Sequence, residues 1–528
     1  MLPKLLLSLG CLALTLAKPV ESGHSWDTLS ITTKGRYLSK RIDGSPFFWQ
    51  ADTAWEIFHR LNKTDVDLYL SDRAEKGFNI IQAVAVAELN GTTHSNYYNQ
   101  LPLVNQDPTQ PIEEYFEYVD YVIDRAADYR ILVALVPTWG RYVNCGWRGE
   151  PKLFNVENAK EFGRFISNRY PGLPKIIGGD SNGDWACDLP DIQEEYEDNY
   201  ESKTDQDPYS MLPEIEDTRD VWSSMVDGMK EGEEDLFVIY HPTNTYLNVT
   251  GLPLAYGSNY LNGTHEVSMN AVQSGHSVPG INPPNEAIVG WNSVRNYEFI
   301  EDMRRAFDGS VIDLENHYEG ARLAFEADQR YWTASEVRHG LYNGFFAGSA
   351  GITYGAHSIW QFYDPIYNLD QARLYIEPQN NLDPNDSWRN GLHFEAAGQV
   401  VYLQNLFKDL KPEVFFSMEP DRSFIQSIDG GEDVLAYAEN RRVGALKSDK
   451  LYWVYTGFGD AFKVDLSNET GIVSTKWYDT RTGQSQDENS YELDDNNKVM
   501  TFYPPTSGTI DNDWVLAIEI QDYGYKNT

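Results

Sequence analysis

Between about residues 47 and 360, short runs of Val, Ile, Leu and Ala alternate with longer stretches whose apolar residues recur every three or four positions. Apolar runs with little polar alternation suit strands covered on both faces. The stretches between them suit amphipathic helices. The pattern predicts strands at 47–52 (FFWQAD), 79–86 (NIIQAVAV), 131–139 (ILVALVPTW) and 175–180 (KIIGGD). Four more follow at 236–242 (LFVIYHP), 267–276 (VSMNAVQSGH), 310–319 (SVIDLENHYE) and 351–360 (GITYGAHSIW). A helix is predicted from an N-cap at Thr64 to a stop at Gly77, with others over 113–130, 158–170, 215–231, 292–307, 333–347 and 393–410. Eight strands alternating with helices predict an α/β chain folded as a closed (β/α)₈ TIM barrel.

After about Pro412 the period changes. Runs such as DVLAYAEN, LYWVYTGF, AFKVDL, VSTKWYDT, KVMTFYPP and DWVLAIEI are short, β-branched and aromatic, with Asp, Gly, Asn and Pro between them. They predict a small all-β sandwich domain. The expected organisation is a leader at 1–17, a barrel over 30–411 and a sandwich over 412–528. An acidic insertion at 188–220, with only Lys203 and Arg219 as cations, interrupts the barrel after its fourth strand. A run of this kind is usually solvated, though its place after a strand end also lets it wall the active face.

Bulk properties narrow the class. The formal charge of −38 repels phosphate backbones, so nucleic acid is not an expected partner. The opening MLPKLLLSLGCLALTLA reads as a signal peptide: Lys4, an apolar run too short to span a membrane, then Thr15 and Ala17 before the cut. No later run has the length of a membrane helix. Cys11 leaves with the leader, so Cys145 and Cys187 remain as an expected disulfide between the loops after the third and fourth strands. Sequons at Asn62, Asn90, Asn248, Asn262, Asn385 and Asn468 fit a secreted glycoprotein. Aromatic residues at 13% suit a surface on which sugar rings stack, and equally suit ordinary β-rich packing.

In this fold, chemistry sits at the C-terminal ends of the strands. The fourth predicted strand ends in Gly178-Gly179-Asp180, and the seventh carries Asp313, Glu315 and Glu319 around His317 and Tyr318. Cleaving a glycosidic bond takes one carboxylic acid to protonate the leaving oxygen and a second carboxylate at the anomeric carbon. Strands four and seven face each other across a closed barrel, so Asp180 and Glu315 are the candidate catalytic pair. Asp313 and Glu315 are alternatives on one side of the strand, and Glu315 lies nearer its end. Asp52, Trp55, Gln82, Glu88, Trp139, His241, Gln273, His276, Glu319, Tyr354, His357 and Trp360 recur at the same level and are the expected sugar-binding residues. For each of them, a helix cap or a satisfied core contact is the plainer role. AGSAG at 347–351 precedes a strand, the wrong order for a nucleophile elbow, and His265-Glu266 lacks the second histidine of a zinc helix. No metal, nucleotide or other cofactor is therefore expected.

The segments PFFWQADTAWEIFHRL and DLYLSDRAEKGFNIIQAVAVAELNG, with IIGGD, NAVQSGH, DLENHYEG and GITYGAHSIWQF, resemble the apiosidase-like catalytic domain over roughly 30–410. VYTGFGDAFKVDL and STKWYDTRTGQ are similar to the collagen-binding-type sandwich often attached to it. The resemblance extends to glycoside hydrolase family 140. It implies a retaining mechanism on apiose linkages, with an Asp after the fourth strand as acid/base and a Glu on the seventh as nucleophile. These fall on Asp180 and Glu315. The run Gly178-Gly179-Asp180-Ser181-Asn182-Gly183-Asp184 departs from the Asn-Glu pair of related barrels, which makes Asp184 the reserve candidate. The expected function is a secreted glycosidase of apiosidase or endoglucanase type, acting on a poly- or oligosaccharide. The alternative is a non-catalytic glycan- or protein-binding chain with an inactive barrel.

Overall fold

A computed structural model describes residues 23–144, 151–179, 218–242, 267–276, 293–366, 377–428, 441–494 and 497–521, with short pieces at 256–257, 261, 278, 435–436 and 439–440. The expected leader, Asp180, Asp184, Cys145, Cys187 and nearly all of the acidic insertion lie outside the described residues, as do Asn248 and Asn262.

All eight predicted strands are present: β1 Trp49–Thr53, β2 Ile80–Val86, β3 Leu132–Thr138, β4 Lys175–Ile177, β5 Val238–Tyr240, β6 Asn270–Val272, β7 Val311–Asp313 and β8 Gly351–Tyr354. Every residue in them is buried, as expected where a barrel interior and a helix layer cover both faces. Six run parallel in the order β8-β1-β2-β3-β4-β5, and β7 pairs in parallel with β6. A parallel bridge from Ile239 to Met269 joins β5 to β6. The Ala350 N–H donates to the Val311 carbonyl at 2.8 Å and joins β7 to β8, which closes the circle.

The main helices are α1 Lys63–Glu75, α2 Glu113–Asp128, α3 Val156–Arg169, α4 Arg219–Gly232, α5 Asn296–Ala306, α6 Ala334–Ala347, α7 Glu395–Gln399 and α8 Val401–Phe407. Two expectations change. The N-cap of α1 is Asn62, not Thr64: its Oδ1 accepts from the Asp65 N–H at 3.0 Å while its Nδ2 donates to Asp65 Oδ2 at 2.8 Å. That sequon amide is engaged in the cap, whereas Asn90, Asn385 and Asn468 are exposed. The single helix predicted at 393–410 divides into α7 and α8, which meet at Val400.

The C-terminal region is antiparallel. Its larger sheet orders Glu419–Pro420, Val443–Lys447, Leu451–Thr456, Trp514–Gln521, Ile472–Asp479 and Ser485–Glu492. A three-stranded sheet of Ile425–Ile428, Phe462–Asp465 and Val499–Phe502 covers one face. Period-2 alternation splits the larger sheet between two cores. Tyr452, Val454 and Leu516 join the sandwich interior, while Trp453, Tyr455 and Val515 join the barrel's own hydrophobic cluster.

One buried ion pair anchors that junction. Arg338 on α6 donates from Nε and Nη2 to the two carboxylate oxygens of Asp513 at 2.8 and 2.6 Å, and Thr480 Oγ1 donates to the same carboxylate at 2.7 Å. The two ionic side chains are 2% and 0% exposed, so either charge left alone is strongly penalised. Replacing Arg338 with Leu is expected to destabilise the chain by roughly 3–5 kcal/mol, measured by urea denaturation. Replacing Arg338 and Asp513 together with apolar residues is expected to recover most of that loss.

Candidate active site

The mouth of the barrel is organised around Glu315. β7 ends at Asp313, so Glu315 stands two residues past the strand and not on the long extended run that the sequence predicts. The two carboxylates therefore diverge. Asp313 accepts from Ser274 Oγ at 2.6 Å and Asn296 Nδ2 at 3.2 Å, and its Oδ1 accepts from the Ser274 and Glu315 backbone N–H groups at 3.1 and 3.3 Å. It shapes the turn that presents Glu315.

Glu315 is 6% exposed. His276 Nε2 lies 3.0 Å from its Oε1 and His241 Nε2 lies 3.3 Å from its Oε2. The Tyr318 backbone N–H donates to His276 Nδ1 at 3.3 Å, so the proton of this imidazole sits on Nε2 and is directed at the carboxylate. Burial by itself pushes the Glu315 carboxyl up, but the two imidazoles, His241 at 3.3 Å and the hydrogen-bonded His276, outweigh it and hold the group well below the ordinary glutamate range. A buried, ionised carboxylate held between two imidazoles is available as a nucleophile or as a stabiliser of positive charge.

Aromatic rings wall the same space. Trp55 lies 5.0 Å from Trp139 and 5.7 Å from His241, centroid to centroid, and its Nε1 donates to the Tyr318 hydroxyl at 3.3 Å. The indole N–H of Trp139 meets no hydrogen-bond partner among the described residues, which leaves a donor in this cleft. Gly178 and Gly179, at the end of β4, both take positive φ, 93° and 56°. A Cβ on Gly178 would stand 2.4 Å from the His241 carbonyl oxygen, and one on Gly179 would stand 3.0 Å from Trp139 Cα. Only glycines allow the chain to leave β4 between these two site residues, with Asp180 next in sequence.

Of the other predicted sugar-binding residues, several are engaged elsewhere. Asp52 and Tyr354 are register partners on β1 and β8 and face the helix layer. Asp52 accepts from Arg73 Nε at 2.5 Å and from the Tyr69 hydroxyl at 2.7 Å, and Tyr354 donates to Glu319 at 2.7 Å. Glu319 also accepts the Ala396 backbone N–H at 3.1 Å, so it anchors the start of α7. These three brace the barrel wall against its helices, which corrects their reading as sugar contacts. Gln82 lies inside the barrel, where its Nε2 donates across to the Leu314 carbonyl at 3.0 Å and steadies the residue before Glu315.

Glu88 and Gln273 are buried just past β2 and β6. His357 and Trp360 belong to a helical turn, His357–Trp360, which starts right after Ala356, an extended residue bridged in parallel to Glu319. Trp360 Nε1 donates to His357 Nδ1 at 3.2 Å, and burial lowers the His357 pKa to about 3, so this ring is neutral.

Four residues of the site region went unassigned in the sequence. Tyr318 touches both Trp55 and His276, and its signal was its place in the run after Glu315. Glu56 and His59 are buried, joined at 2.8 Å, and tie the first loop to the second through the Leu89 N–H and the His94 carbonyl; WEIFHR carries them beside Trp55. Phe325 lies 4.4 Å from His276, with no sequence signal.

Fold and site together define a glycoside-hydrolase-type barrel: strand-end carboxylate, imidazole partners and aromatic walls at one mouth. The chain belongs to the family described as "Apiosidase-like, catalytic domain", whose model matches residues 32–413. Residues 420–519 match "Putative collagen-binding domain of a collagenase". Among solved structures, a protein titled "Glycoside hydrolase" is 24% identical, with TM-score 0.73 over 96% of this chain and 100% of that one. A glycoside hydrolase family 5 protein from Bacteroides vulgatus gives 24% identity and TM-score 0.73 over 96% of each chain. At that identity the likeness establishes the fold. No curated protein matches the chain. No helix among the described residues is long and apolar enough to cross a membrane.

The depressed Glu315 pKa has a consequence for stability. The folded state binds its proton less readily than the unfolded chain does. Its contribution is therefore present above the ordinary glutamate pKa of about 4.3 and is lost as pH falls through the lower folded value. Glu315→Gln is expected to flatten the acid side of the curve of melting temperature against pH; an unchanged slope below pH 4 would count against this ionisation state.

Proposed function

We propose that this protein is a secreted retaining glycoside hydrolase acting on a cell-wall polysaccharide, with an apiose-bearing glycan as the first substrate to test. The observation that carries the reading is Glu315, an ionised carboxylate just past the seventh strand, held between His241 and His276 in a cleft walled by Trp55 and Trp139. Membership of the apiosidase-like family supports the choice of substrate, and the leader at 1–17 supports secretion.

Glu315 attacks the anomeric carbon while Asp180, following the Gly178-Gly179 turn, protonates the leaving oxygen. A glycosyl ester on Glu315 results. Asp180, now a carboxylate, takes a proton from water. The water oxygen attacks the anomeric carbon, and Glu315 leaves as a carboxylate. In the first step Asp180 must be protonated beside an ionised Glu315. The neighbouring negative charge favours that state, while the imidazoles keep Glu315 from taking the proton. Retention calls for carboxyl groups about 5–5.5 Å apart.

The test is sugar release from a panel of cell-wall polysaccharides that includes apiose-bearing pectin, by wild type, Glu315→Gln and Asp180→Asn. Wild type is expected to release sugar with retained anomeric configuration, read by proton NMR in the first minutes. Glu315→Gln should fall to background, and Asp180→Asn by roughly 10²–10⁴-fold. Inversion, or full activity in a folded Glu315→Gln variant, would contradict the mechanism. Binding without release by wild type would favour a non-catalytic glycan-binding protein.

A further inference from the structure

Two hairpins of the barrel share one backbone design. Residues 102–112 lie between β2 and α2, and residues 321–332 lie between β7 and α6. In the first, the Val104 N–H donates to Gln110, Asp107 to Val104 and Ile112 to Pro102. In the second, Leu323 donates to Arg330, Glu326 to Leu323 and Trp332 to Ala321. Antiparallel bridges close both, Leu103 with Pro111 and Arg322 with Tyr331. At both tips, two consecutive non-glycine residues take left-handed backbone: Asn105 and Gln106 at φ 50° and 61°, Ala324 and Phe325 at 51° and 59°.

The residue choice separates the two copies. Asn is among the few side chains that tolerate this region, and a polar tip suits an exposed turn. Gln106 lacks that tolerance too, but in the second tip neither Ala324 nor Phe325 has it, so both positions hold strained backbone that the surrounding bonds must enforce. The Ala324 N–H donates to the His276 carbonyl at 2.9 Å, the Phe325 N–H to Arg322 at 3.0 Å, and Asn381 Nδ2 donates to the Phe325 carbonyl. The result is one aromatic ring in one place. Phe325 lies 4.4 Å from the His276 ring and stacks on His357 at 5.3 Å and 29°. It remains half-buried, unlike the enclosed Trp55 and Trp139. His276 in turn holds Glu315 at 3.0 Å. Phe325 thus stands one side chain beyond the reacting carboxylate.

We propose that Phe325 is a specificity-determining platform: its exposed face stacks on the sugar adjoining the one that Glu315 attacks. This rests on the glycosidase reading above. A flat apolar ring suits the C–H face of a pyranose or furanose. Its anchoring on His276, whose Nε2 lies 3.0 Å from Glu315, keeps it beside the reacting carboxylate with one imidazole between them. The strained turn is what this geometry requires, since an ordinary loop conformation would direct the ring elsewhere.

The experiment compares wild type with Phe325→Ala, Phe325→Leu and Phe325→Tyr in the full chain, on an oligosaccharide and on the glycosyl fluoride of the same reacting sugar, whose leaving group leaves the adjoining position empty. For the oligosaccharide, Ala and Leu are expected to raise KM about tenfold with kcat within about threefold, and Tyr to stay near wild type. For the glycosyl fluoride, all three should stay within about twofold. Leu keeps the apolar bulk against the two histidines, so it reads the flat face without the cavity that Ala leaves. Equal losses on both substrates would show a merely structural ring and overturn the proposal, as would an unchanged oligosaccharide KM in both Ala and Leu. If wild type cleaves nothing, calorimetry of the same oligosaccharides separates the two readings. Binding lost in Phe325→Leu would uphold the platform and sink the hydrolase, whereas no binding by wild type would sink both.

Discussion

A carboxylate sealed in a protein interior takes up a proton unless something opposes burial, and this site depends on what opposes it at Glu315. Two imidazole nitrogens within 3.3 Å outweigh the loss of water and keep the group ionised. They come from different strands, His241 just past β5 and His276 in the loop after β6, so the arrangement exists only when the barrel is closed. The closing bonds between β5 and β6 and between β7 and β8 flank the elements concerned. Closure of the fold and protonation state of the site are one constraint.

The support extends outward in layers. Asp313 holds the turn before Glu315, Gln82 reaches across the barrel to Leu314, and the Tyr318 backbone fixes the His276 tautomer. Beyond them, His317 lies 2.9 Å from the Glu336 carbonyl on α6, the helix whose Arg338 is locked to Asp513 of the sandwich. The sandwich gives one face of its larger sheet to the barrel's hydrophobic cluster, so it braces the half of the barrel that carries Glu315. A domain attached in this way contributes to the rigidity of the site whatever its outer faces bind.

Much of this was legible in the sequence. Apolar runs marked all eight strands, because a strand covered on both faces has few polar residues to spare. The rule that chemistry gathers at strand C-termini then led to Glu315, His241, His276, Trp55 and Trp139. Strand ends were less legible: the chain turns after Asp313 at the end of β7 and into a helical turn at His357 just past β8, while the apolar runs continue into packed loops. The direction of Asp52 and Tyr354 was hidden for a related reason. A barrel strand of four or five buried residues shows no alternation, so inward and outward positions look alike. Phe325 could not be found at all, because left-handed backbone at Ala-Phe leaves no mark in residue type.

The most direct measurement of the central claim is the titration of the Glu315 carboxyl itself, by ¹³C NMR of glutamate-labelled full-length protein with Glu315→Gln identifying the signal. This carboxyl is expected to stay ionised well below the ordinary glutamate midpoint of about 4.3, and His276→Ala to raise its midpoint. A midpoint at or above the ordinary value in the wild type would mean that burial prevails over the two imidazoles, and the site would then hold a neutral acid where the account requires a nucleophile.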